Sequence, residues 1–436
     1  LMLNNKKITK EEFEEALNTE LKIIGKKEDS NYISINYFRD SVLEELKTIT
    51  EVPASTIETG GLKIYTTLDA TAQKSLEDSV YSYINDDTKI ETAAIMMDPN
   101  TGEVLALIGG NNYSKSQFNR ATKAKRQVGS TMKPLLYYSA LESGFTSSSS
   151  FTSEKTTFTF SGGKSYSPKN YNDRYAEGPL SMEAAIAYSD NIYAVKTHLF
   201  LGENNLINTA KRLGITSNLS EVPSLALGTS EISLIEMTSA YSCFASLGYK
   251  TTPHFIKKIE DSKGNILYEN KEEKELLLNP SLTYILNEML TSTYNKNFIN
   301  YNYPTLISLL PQITHKYAIK SGTTDTDLLI MGYNKNVVLG VWNGYDNNTK
   351  IDSSEYSHHK NIWIDTMESY FKQKEASWYE IPNNVVGVLT EPITGALATD
   401  ETQNKEMFFY LKGTEPSAES NYKDLEAVFQ EENNSN

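Results

Sequence analysis

The chain has 436 residues, 39% hydrophobic and 22% charged, with a formal net charge of −15. That leaves room for two or three domains around an ample core, and the acidic balance excludes the basic footprint of a nucleic-acid binder. Cys243 is the single cysteine, so disulfides within one chain and thiolate-based zinc sites are excluded.

In chain order, Thr9 and Glu12 form a capping box that opens a helix over 9–19. A second helix is predicted over 37–46, a strand over 62–68 and a third helix over 70–84. The strands 93–97 and 104–108 read as a hairpin around the turn Asp98–Gly102. The middle of the chain is mostly helical. Ser233 and Glu236 form another capping box, and its helix turns Leu234, Met237, Ala240, Tyr241 and Phe244 inward at spacings of three and four. Cys243 lies in that helix, which makes it a buried structural thiol. Strands 328–333 and 337–342 flank an Asn-Lys-Asn turn. Strands at both ends with helices between them give an α+β sheet with a helical insertion. The Ser/Thr-rich segment 147–161 has a linker's composition and is placed as a loop on a cleft rim. His358-His359 reads as a polar loop and a weak metal candidate, and no metal or cofactor is expected. No apolar run is long enough to span a membrane and there is no signal peptide. After Pro416 the tail is acidic and reads as disordered.

Three motifs carry chemistry: Ser130-Thr131-Met132-Lys133, Ser189-Asp190-Asn191 and Lys320-Ser321-Gly322-Thr323. A serine hydroxyl becomes a strong nucleophile only when a base takes its proton, and a lysine three residues on in a helix lies one turn away on the same face. The lysine must be neutral to act, which requires a dry pocket and a cationic neighbour. Lys320 is the candidate cation and Ser189 the candidate proton relay. The first pattern alone is cheap: it recurs at Ser161/Lys164, Ser357/Lys360 and Ser420/Lys423, and Ser34-Ile35-Asn36 imitates the second. Only Ser130 follows a glycine and precedes Pro134 and the apolar run 135–141, a helix with the serine at its start and Gly144 at its end. Ser161 and Ser357 lie in polar, loop-like stretches, and Lys-Ser/Thr-Gly occurs once. The combination is the signature of serine acyl-transfer enzymes.

With these motifs the chain resembles the class A, bifunctional penicillin-binding proteins, and among them the 1a and 1b proteins of Gram-positive cocci. Further segments carry the likeness: 60–69, 98–107, Phe118–Ala121, Arg126–Gly129 and Trp342–Asp346. Two positions depart, with Val128 where proline is usual and Ser321 where threonine is commoner. The resemblance implies a five-stranded antiparallel sheet with helices on both faces and a helical lobe. It implies a connecting domain over 1–88, a transpeptidase domain over 89–378 and a small β-rich domain over 379–436. It implies an upstream glycosyltransferase domain and membrane anchor, placement on the extracellular face of the membrane, and the division or elongation machinery as a partner. Peptidoglycan stem peptides and β-lactams are the implied ligands. Ser130 is then the nucleophile, Lys133 the base, Ser189 the relay, and Asn191 a holder of the acyl peptide and of Lys133. Lys320, Ser321 and Thr323 bind a carboxylate, and the amides of Ser130 and of Thr323, the residue after Gly322, form an oxyanion hole. A β-lactam hydrolase, a D,D-carboxypeptidase and a non-catalytic β-lactam sensor stay open as alternatives. For hydrolysis Glu275, in Glu275-Leu276-Leu277-Leu278-Asn279, is the candidate base, although its acidic surroundings place it in a solvated strand-to-helix junction.

Overall fold

The computed structural model describes residues 2–19, 35–84, 88–271 and 273–417. They fall into two compact units that divide between Ile33 and Ser34. In the first, the helix Lys10–Asn18 begins at the predicted capping box: the Thr9 side chain accepts from Glu12 N and the Glu12 carboxylate from Thr9 N.

The second unit is built on a five-stranded sheet whose strands are labelled here β1 (Glu91–Met97), β2 (Val104–Ile108), β3 (Ala318–Thr323), β4 (Asp327–Tyr333) and β5 (Val338–Gly344). Their order is β3-β4-β5-β1-β2, antiparallel throughout. Alternate residues point to opposite faces, and both faces are covered. Ala93, Ile95 and Met97 enter one core, while Ala94 and Met96 enter another with Ile319, Ile330 and Leu339. That is why the strands read as nearly continuous apolar runs. Helices α1 (Ala70–Tyr83) and α7 (His358–Phe371) pack together on one side. On the other lie α2 (Lys133–Glu142), α3 (Met182–Tyr188), α4 (Asn191–Leu201), α5 (Leu234–Ala245) and α6 (Pro280–Thr291), which make up the lobe. The predicted α+β class, five-stranded sheet and helical lobe are present.

Before the sheet, the helix Ile35–Leu46 begins two residues ahead of its predicted start, and strand Lys63–Thr66 pairs with Ile256–Glu260. Helix α5 starts at the predicted capping box, and its five inward residues and Cys243 are all buried. Burial pushes the Cys243 thiol up to about 12, so it is inert at neutral pH. Glu275 opens the two-residue strand Glu275–Leu276, which pairs with Tyr249–Lys250, and it is exposed, as its acidic setting predicts.

Two expectations are corrected. Residues 147–153 do not form a rim loop: Ser147, Ser148, Ser149, Ser150 and Ser153 are buried, and Ser150–Ser153 pairs with Gly178–Ser181. The hydroxyls tolerate burial because each of several has a partner. Ser147 Oγ donates to Phe409 O at 2.9 Å, Ser148 Oγ to Gly395 O at 2.6 Å, and Ser149 Oγ accepts from Thr146 N at 2.8 Å. His358 and His359 are not in a loop but begin α7, with His359 fully buried. Ser357, in the exposed turn just before that helix, is loop-like as expected. Ser34, Ser420, Lys423 and most of the acidic tail lie outside the described residues.

Candidate active site

Ser130 sits in a 3-10 turn, Gly129–Met132, that runs into α2 at Lys133. Residues i and i+3 fall on one face of such a turn, which places Ser130 and Lys133 on the same side. The Lys133 backbone N–H closes the turn on Ser130 O. Pro134 falls in the first turn of α2, where no N–H is required. Thr131 ties the turn back, its Oγ1 donating to Val128 O at 2.7 Å, and Tyr241 OH on α5 donates to Thr131 O at 2.7 Å. Val128, where the likeness led one to look for proline, is fully buried with φ −86°.

Two glycines make the turn possible. Gly129 has φ +56° and donates its N–H to Gly228 O at 3.1 Å, and a Cβ on Gly228 (φ +70°) would overlap Gly129 O. Gly322 of β3 lies against Val128 O in the same way. The third motif therefore ends in glycine because strand and nucleophile turn meet backbone to backbone. Thr323 N lies 3.1 Å from the place a Cβ on Gly129 would take, which sets the amide beyond Gly322 beside the Ser130 turn.

Lys133 is fully buried, and its Nζ lies between Ser189 O at 2.7 Å, Ser189 Oγ at 3.2 Å, Asp190 O at 3.1 Å and Asn191 Oδ1 at 2.7 Å. Ser189 is the left-handed C-cap of α3, φ 55°, and Asp190 is the N-cap of α4. The tight link between two helices aims all three residues at one lysine. Asp190 itself points away. It accepts from Tyr193 N at 2.8 Å, Ser153 Oγ at 2.5 Å and Asn170 Nδ2 at 2.6 Å, so the buried serine segment anchors the second motif. The sequence hinted at this only through the acid between Ser189 and Asn191.

Burial brings Lys133 from its usual 10.5 down to about 7, against the opposing pull of Asp190. The cation expected to do this, Lys320, is not among the causes of the shift. Lys320 is fully buried too, and burial holds it well below its usual value, with Lys133 and Lys360 adding repulsion. Its Nζ donates to Ser321 O at 2.8 Å. Ser321 is buried and Thr323 exposed on the strand's alternate positions.

The segments that approach the site converge as well. Arg120 forks onto Asp346, Nε to Oδ1 at 2.7 Å and Nη2 to Oδ2 at 2.5 Å. Arg126 Nε reaches Asp327 Oδ1 at 2.6 Å, and the guanidinium lies over the Trp342 ring. The decoy Ser161 is exposed in its own short turn.

A family model, "Penicillin binding protein transpeptidase domain", matches residues 92–351, more than half of the chain. The chain belongs to the penicillin-binding protein transpeptidase family. It is similar to penicillin-binding protein 2D of Bacillus subtilis (strain 168), 42% identical over 383 residues, covering 87% of this chain and 55% of that protein. Penicillin-binding protein 1A of Aquifex aeolicus (strain VF5) is 36% identical over 336 residues, 75% of this chain and 44% of that one. The chain thus spans about half the length of these curated relatives. The crystal structure of penicillin-binding protein 1A from Haemophilus influenzae shares the fold, with a TM-score of 0.78 at 21% identity over 95% of this chain and 81% of that one. Among the described residues no helix is long and apolar enough to cross a membrane.

Proposed function

We propose that this chain is the D,D-transpeptidase part of a bifunctional cell-wall synthase, working through an acyl-serine intermediate on the outer face of the cell membrane. The observation that carries this reading is Lys133: a buried amine near its neutral point, one turn on from Ser130 and 3.2 Å from Ser189 Oγ. Neutral Lys133 takes the Ser130 proton as Oγ attacks the penultimate D-alanine carbonyl of a stem peptide. The amides of Ser130 and Thr323 face the oxygen that gains charge. The proton returns through Ser189 Oγ to the leaving D-alanine amine, and the C–N bond breaks. Asn191 steadies Lys133 and the acyl peptide, while Lys320, Ser321 and Thr323 receive the terminal carboxylate beside Gly322. A second stem's amine then attacks the ester, gives up its proton along the same path, and frees Ser130. A β-lactam opened by Ser130 keeps its leaving group tethered and stays bound.

The proposal includes a connector over 1–88, the transpeptidase over 89–378, a small β-rich domain beyond, and a glycosyltransferase domain and anchor elsewhere in the same protein. The exposure of Glu275 weighs against β-lactam hydrolysis. The test is incubation with a D-Ala-D-Ala peptide and an acceptor amine. Cross-linked product supports the reading; hydrolysed peptide alone identifies a carboxypeptidase, and no product with a stable penicillin adduct identifies a sensor.

A further inference from the structure

A third lysine belongs to this cluster, from an element outside the three motifs. β5 runs parallel to β3, since each is antiparallel to β4 between them. The chain therefore leaves β5 at the end of the sheet where Lys320-Ser321-Gly322-Thr323 also ends, and α7 starts there and packs back along β5. Lys360, in the first turn of α7, is half-buried, and its Nζ donates to Thr305 O at 3.2 Å. Thr305 N in turn donates to Ala187 O at 2.9 Å, two residues before Ser189. Lys360 is thus tethered to the segment that holds the second motif, and it lies close enough to Lys320 to disfavour that group's charge.

Charge is unbalanced at this end of the site. Asp190 is the carboxylate that acts on Lys133, and among the described residues none acts on Lys320 or Lys360. Lys320 Nζ bonds the carbonyl of its own neighbour and Lys360 Nζ bonds one carbonyl, so each keeps donors to spare. Beside them His359 is fully buried with both ring nitrogens unpartnered, and burial and its cationic neighbours keep it neutral. Burial lowers both amines' hold on a proton and no carboxylate offsets it, so an anion that arrives with the substrate would restore their charge and be held by it.

We propose that Lys360 is a specificity-determining residue whose positive charge, added to that of Lys320, draws the carboxylate of the acylating substrate into the site. The inference rests on the transpeptidase reading above and deepens it, giving the substrate's carboxylate a second cation from α7. The charge acts on the substrate's anion, so it is felt only by substrates that carry one.

The experiment compares acylation of the full chain by a penicillin bearing a free carboxylate with acylation by the methyl ester of the same penicillin. Lys360→Met should slow the acid about tenfold and leave the ester within about twofold, and the acid's rate should lose part of its salt dependence. Lys360→Arg should retain the acid's advantage. Lys360→Gln keeps a donor for Thr305 O without charge and should behave as the Met variant; if Gln restores the rate, the hydrogen bond is at work and the proposal falls. Equal loss for acid and ester, or no loss for either, overturns it also. Failure of the unaltered chain to acylate with either probe would sink the underlying reading and this inference with it, whereas the other outcomes touch Lys360 alone.

Discussion

At Gly228 a single methyl group would collide with the carbonyl of Gly129, one residue before the nucleophile. Gly228→Ala should therefore cut penicillin acylation by roughly 100-fold or more through displacement of the Ser130 turn, since a small misplacement of reacting groups is enough for that. A stopped-flow acylation rate beside a thermal melt checks it; a parent-like rate would mean that the backbone packing does not hold the serine. Lys133 gives a pH signature. Below about 7 its amine is protonated and cannot take the serine proton; above that it can. Acylation should climb through pH ~7 and level off. The same shift costs stability at low pH: a folded-state value below the unfolded one means that unfolding takes up a proton between about 7 and 10.5, so stability rises with pH across that window. The residues of the three motifs were legible because their chemistry demands those types at those spacings. Lys360 was not: as sequence it was part of a chance Ser-x-x-Lys pattern, and only the sheet topology brings it to Lys320.

Elements read well where the signal was local. Both capping boxes, the β1–β2 hairpin and the β4–β5 pair rest on contacts between near neighbours in sequence, and all formed within one to two residues of their predicted limits at most ends. The buried serines of 147–153 were illegible for the opposite reason, since the groups that satisfy them, Phe409 O and Gly395 O, lie more than 240 residues away. The cap of α5 offers a test at this scale. Glu236 accepts from Ser233 N and Oγ, Thr216 N and Oγ1, and Ser217 N and Oγ, and these bonds hold its carboxyl down at about 2. With the folded value depressed, the carboxylate stabilises the fold above pH ~4.5, and that contribution is lost as pH falls toward 2. Glu236→Gln should lower stability by about 1 kcal/mol at neutral pH and flatten the acid limb of the stability profile. Urea melts at pH 7 and pH 3 would show both, and a variant that keeps the parent's acid limb would contradict this account of the cap.

For the molecule as a whole, the hairpin of Val385–Thr390 and Glu406–Leu411 puts Val385, Phe408 and Tyr410 into the lobe's core, and Phe408 stacks on Phe298. Its loop holds Ser181, whose N–H donates to Ile393 O at 2.7 Å and whose Oγ donates to Pro392 O at 2.9 Å, at the N-cap of α3. Truncation after residue 381 should therefore lower the melting temperature and slow acylation together, because the helix that ends in Ser189 loses its support. A truncated chain with the parent's acylation rate would separate the hairpin from the site. Glu275, exposed on its short strand, should be idle: Glu275→Ala is expected to leave the lifetime of the penicilloyl-enzyme unchanged, while a longer lifetime would point to hydrolysis. The central claim is that Ser130 alone forms the covalent intermediate. Its most direct test is peptide mass spectrometry of the chain after incubation with a penicillin. The expected result is one adduct, on Ser130, absent from a folded Ser130→Ala variant; an adduct on Ser161, Ser357 or Ser420, or one that survives Ser130→Ala, would contradict it.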